Sequence, residues 1–181
     1  MGNKIIKYCS PTLAGLKVGN LFAYEYNNIV TLYQVVMAIS RLINKKGVYI
    51  HILQLKNNRA LIYIYRKKQL QELLKNKEIR SFLHECDYQN FNVYDALQQL
   101  SKHLKKQDFP HEIGVFLDYP LDDVKSFIAH KGLNYKAVGC WKVYHNLDNA
   151  LNLFERFEKC TKRFIQRYQQ GFDIEYLTVR C

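Results

Sequence analysis

Two segments hold residue types that could carry out nucleophilic chemistry. In KYCSPTLAGLK, residues 7–17, Cys9 stands directly ahead of Ser10 and Pro11. Serine is a favoured N-cap and proline a favoured first helical residue, so the order predicts a helix starting there. A thiol at a helix N-terminus, with Lys7 nearby, is biased towards the thiolate. In FPHEIG, residues 109–114, His111 is followed by Glu112. A thiolate nucleophile needs a base and a group that orients the base. Cys9, His111 and Glu112 are therefore the candidate catalytic set. The competing reading packs Cys9 as a small apolar residue and lets His111 and Glu112 cap a turn.

A second set is cationic. Lys17, Arg66 and Lys142 lie on or beside apolar elements, where a positive charge must be paired, exposed or met by a ligand. They are the candidate anion-binding residues; pairing with Glu112, Asp122 or Asp123 is the alternative. No metal site is expected. HEIGV lacks the second histidine of an H-E-x-x-H motif because Val115 occupies its place, and the adjacent residues His84, Glu85 and Cys86 diverge around a helix. No cofactor is assigned.

Positioning these residues falls to a recognisable run of elements. Leu13, Leu16, Val18, Leu21, Phe22 and Tyr24 are read as a short helix following Ser10. A stronger helix is predicted over 28–44, with Ile29, Leu32, Val35, Val36, Ile39 and Ile43 at helical spacing. VYIHILQL and ALIYIYR, joined at KNNR, predict a β-hairpin over 48–55 and 60–66. Its near-continuous apolarity implies cover on both faces. Helices follow over 67–76, 78–86 and 93–106, then two short elements pivoting at Tyr119–Pro120. A third strand is expected over 137–144, followed by a long helix over 148–168. In that helix Leu151, Phe154, Phe157, Phe164 and Tyr168 form an apolar stripe, and Arg156, Lys159, Arg163 and Arg167 a basic one. The predicted class is α+β, a small, mainly antiparallel sheet of about three strands surrounded by many helices in a single domain, 1–181.

The chain of 181 residues carries a formal charge of +11, with 17 Lys/Arg against 7 Asp/Glu in residues 1–109 and 10 against 9 in residues 110–181. That asymmetry points to an acidic partner. Nucleic acid is disfavoured, because a helix-turn-helix drawn over 111–132 would open its second helix with Asp122 and Asp123. Cysteines at 9, 86, 140, 160 and 181 form no C-x-x-C pair, as expected of reduced thiols in a cytoplasmic protein. The absence of a signal-like or membrane-length apolar run excludes a membrane span from this reading.

CSPTLAGLK, ALIYIYR, FPHEIGVFLDYPLDDVKSFI, GCWKVY and KCTK together resemble the domain of unknown function 3793 family, found mainly in clostridia and related anaerobes. The likeness runs from Tyr8 to Val179. It departs at Asp118, where the family usually has glycine, and at Cys140, where it often has an aromatic residue. The family's association with flavodoxin-like and iron-uptake genes implies an accessory or binding protein of iron or flavodoxin-linked redox metabolism. An acidic flavodoxin would be the partner. A thiol-dependent enzyme using Cys9 and His111 is the alternative, and a nucleic-acid-binding protein a further one.

Overall fold

A computed structural model describes residues 1–106 and 109–180. The first helix, α1, is Gly2–Leu13. Its Ile5, Ile6, Cys9 and Leu13 share one face and are buried, which is the spacing of an amphipathic helix. Ser10 and Pro11 therefore belong to the end of this helix, correcting the reading of Ser10 as an N-cap. The Ser10 hydroxyl donates back to the Ile6 carbonyl. Gly15, at φ +80°, then stops the helix. The Leu16 N–H donates to the Pro11 carbonyl at 2.9 Å and the Gly15 N–H to that of Thr12 at 3.1 Å, the paired closure of a Schellman motif. The residues read as a following helix instead form strand β1, Gly19–Glu25.

Asn28 caps α2, Ile29–Ile43, by accepting from the N–H groups of Val30 and Thr31. The hairpin is present as β2, Val48–Lys56, and β3, Arg59–Arg66. Its turn places Asn57 and Asn58 at φ 50° and 56°, a left-handed geometry that asparagine tolerates. The sheet order is β1-β3-β2 and both pairings are antiparallel. The third strand of this sheet is thus β1, and residues 137–144 contribute a separate small hairpin.

Both faces of β3 are covered, as its composition predicts. Tyr63 and Tyr65 face one layer, made by α3 (Lys67–Leu73), α4 (Lys77–Glu85), α5 (Val93–His103), α6 (Ile113–Phe116) and α7 (Leu121–Ala129). Ala60, Ile62 and Ile64 face the other, made by α1, α2, the C-terminal half of α8 (Leu147–Gln169) and α9 (Ile174–Leu177). The first half of α8 packs instead on the small hairpin of β4, Ala137–Val138, and β5, Lys142–Val143, through Trp141, Val143, Ala150 and Phe157. Phe157 and Phe164 are buried, Phe154 and Tyr168 half-buried and Leu151 exposed, so the stripe predicted on α8 is narrower than its composition. Among the described residues the architecture is α+β, a three-stranded antiparallel sheet and a two-stranded one within nine α-helices. No helix among them is long and apolar enough to cross a membrane.

Candidate functional site

An apolar cleft lies between the α6–α7 pair and the β4–β5 hairpin. It is a cleft of about 440 Å³, walled by Ile113, Leu117, Val124, Phe127, Val138 and Trp141, with His111, Cys140 and Lys142 also on its lining. Three local features shape it. Gly114 lets α6 approach α7, since a Cβ there would stand 2.8 Å from the Val124 side chain. Gly139 lets the hairpin lie against the Phe154 ring, where a Cβ would come within 2.4 Å. Asp118 turns the chain between the helices at φ 59°, which explains physically why glycine suits this position.

A buried carboxylate holds the hairpin in place. Asp123, in the first turn of α7 and 2 % exposed, accepts from Trp141 Nε1 at 2.7 Å and from the N–H groups of Tyr144 at 2.9 Å and His145 at 2.8 Å. Trp141 then packs between Tyr119 and Phe154, with ring centroids 5.3 and 4.5 Å away. Asp123 therefore pairs with none of the three predicted cations; it tethers the cleft wall.

Those cations divide. The Lys142 ammonium donates to the Gly132 carbonyl at 2.7 Å and lies over the Phe127 and Tyr135 rings, on the cleft. Lys17 is buried behind the same wall, its ammonium 5.0 Å from the Tyr119 ring centroid and 5.8 Å from that of Phe157. Burial pushes its pKa down, opposed by the nearby Cys140 and Asp118. Arg66 is elsewhere and wholly buried. Its Nε donates to the Thr12 carbonyl at 2.6 Å, and its Nη2 to those of Leu13 at 2.6 Å and Val179 at 3.0 Å. Arg66 ties the end of α1 and the C-terminal segment to the sheet, satisfying carbonyls that a helix end leaves unpaired.

The predicted catalytic set is not assembled. Cys9 is wholly buried in the layer on one face of the sheet. Lying inside α1, it is away from the N-terminal end of the helix dipole that would favour a thiolate, and burial drives its pKa far up. His111 belongs to the layer on the other face, exposed at the cleft, with its ring edge-on to Phe127 at 5.1 Å. Glu112 turns away from it. Its Oε1 lies 2.6 Å from His103 Nδ1 and accepts from the Tyr88 hydroxyl at 3.3 Å.

His103 is the histidine that sequence reasoning missed. The Gln99 amide nitrogen donates to the Asp87 carbonyl at 3.2 Å and also lies 3.0 Å from His103 Nε2. The carbonyl contact fixes that amide as a donor, so Nε2 accepts and the ring proton sits on Nδ1, facing Glu112. Both ring nitrogens are thereby engaged, and the network clamps α5 to the start of α6. A second cleft of about 580 Å³ opens beside it, with Cys86, His103, Lys106 and Glu112 on its lining; Phe109 and His111 line both clefts. Among the described residues, no group of three His, Cys, Asp or Glu is arranged to hold a metal ion.

Fold and site together define a layered α+β protein with an apolar cleft built on two helices and a hairpin. A family model described as protein of unknown function, DUF3793, matches residues 5–178, and the chain belongs to that family. No curated protein and no solved structure matches it.

Proposed function

We propose that this protein binds a compact apolar or aromatic small molecule in the cleft between α6–α7 and the β4–β5 hairpin. The observation that carries this reading is the cleft itself, whose lining is aromatic and aliphatic with a few polar groups. That is the usual composition of a small-molecule site. Asp123, the carboxylate on its wall, already accepts three hydrogen bonds within the protein, so it serves the wall's shape rather than acid–base chemistry.

This is a narrower form of the binding-protein expectation; its extension to iron or flavodoxin-linked redox metabolism of anaerobes rests on the family resemblance, and a place in the cytoplasm on the cysteine pattern. The thiol-enzyme alternative loses its support, since a buried Cys9 with a raised pKa is neither accessible nor ionised near neutral pH.

The neutral dye N-phenyl-1-naphthylamine tests the reading. Its fluorescence should rise saturably on titration with the protein. Val138→Asp should weaken that binding about tenfold or more, because it sets a charge against an apolar ligand at an exposed position that the fold does not need. No saturable rise, or equal binding by a correctly folded Val138→Asp protein, overturns the proposal.

A further inference from the structure

We infer that the ligand carries one anionic group, a carboxylate, which meets Lys142 and His111 on the cleft lining, so that the ligand class is an aromatic or compact apolar carboxylic acid. The inference rests on the cleft being a binding site and adds the chemistry that would select its ligand.

The argument begins with the charge on Lys142. Its ammonium is held by a carbonyl, that of Gly132 at 2.7 Å, and by the faces of Phe127 and Tyr135, with centroids 5.7 and 4.8 Å away. None of these neutralises it. No carboxylate among the described residues lies within ion-pair distance of it. The carbonyl uses one of three N–H donors, which leaves two for a ligand.

The exposed His111 ring packs edge-on against the same Phe127 ring, with centroids 5.1 Å apart. Lys142 and His111 thus contact one ring on the lining of an apolar cleft. A flat apolar body could lie against Phe127 and Trp141 while its acid group meets the Lys142 ammonium and the imidazole.

Competing negative charge is already engaged. Asp123 is saturated by Trp141 and two backbone N–H groups, and Glu112 is held by His103 and Tyr88. Among the described lining residues a carboxylate ligand therefore meets the Lys142 ammonium, whereas a cationic ligand meets the same charge and only Asp123, whose oxygens are already bonded. A neutral amide of the same shape would keep the apolar contacts and lose the charge-assisted bond, which is the stronger kind.

The test displaces N-phenyl-1-naphthylamine with 2-naphthoate and with 2-naphthamide, which differ chiefly in charge. The naphthoate should bind about tenfold or more tightly than the amide. Lys142→Gln should remove most of that preference while changing amide affinity less than twofold, and His111→Gln, at an exposed position, should reduce it to a smaller extent. Equal displacement by the two compounds, or equal losses for both in Lys142→Gln, overturns the inference while leaving the cleft as a site. A naphthoate preference unchanged in both variants overturns it too, by placing the anion elsewhere. Failure of the neutral dye itself to bind removes the cleft reading, and this inference with it.

Discussion

Lys17 shows how much a single side chain depends on its surroundings. In sequence it is one of 27 Lys and Arg residues. In the structure it is 4 % exposed, and its ammonium faces two aromatic rings. Such cation–π contacts offset part of the cost of leaving water, yet burial still lowers its pKa from the ordinary 10.5. The sign of the linkage follows. Between the lowered folded pKa and 10.5 the unfolded chain holds more protons than the folded one, so this residue's contribution to stability rises with pH across that window. Lys17→Met removes the effect. Urea denaturation from pH 7 to 10.5 should therefore show wild type gaining stability relative to the variant as pH rises; a pH-independent difference would refute it. Tyr65 and Tyr119, whose pKa values burial raises to about 12, pull the other way at high pH. Tyr119 faces Lys17, so the comparison is read below about pH 10, where both tyrosines keep their protons in the folded and unfolded states.

At the scale of elements, the β4–β5 hairpin has two residues per strand, too little to hold together alone. The Asp123 carboxylate and the packing of Trp141 fix it to α7 and α8. Asp123→Asn keeps one oxygen for the Tyr144 and His145 N–H groups but can turn an amide donor towards Trp141 Nε1–H. That mismatch should cost about 2 kcal/mol. It should also shift the emission of Trp141, the single tryptophan, to longer wavelength as water reaches the indole. Unchanged stability and emission would show that the carboxylate does not hold the hairpin. Elements are also where sequence reading went furthest. The hairpin, α2, the helices from α3 to α5 and the pivot at Tyr119–Pro120 stand where local pattern put them. The failure at α1 has a local cause too. Serine and proline signal a helix start, yet Pro11 lies inside α1, and the Leu13-Ala14-Gly15-Leu16 stop signal lay inside the stretch read as a start.

For the whole molecule, one sheet separates two cores while a third cluster sits on the first half of α8. We propose that they unfold as one unit, because β3 belongs to both large cores and α8 runs from the third cluster, at Phe157, to the second, at Phe164. The emission of Trp141 reports the third cluster and far-ultraviolet circular dichroism reports the helices of all three. The two urea transitions should coincide, as in two-state unfolding. An earlier Trp141 transition would make the hairpin and its cleft a separately unfolding part.

The sequence by itself determined the element types from α2 to α5 and at α8, the two-sided burial of the hairpin and the basic bias of the first 109 residues, since each is written in local pattern or composition. Tertiary structure alone decided which polar groups meet. It put Cys9 and His111 on opposite faces of the sheet, gave Glu112 to His103 rather than to its neighbour, and spent Arg66 on carbonyls of α1 and the C-terminal segment. Periodicity tells which face of an element is buried; which layer covers that face is settled by packing between residues distant in the chain. The cleft exists only because the α6–α7 pair and the β4–β5 hairpin that follows it close on one another.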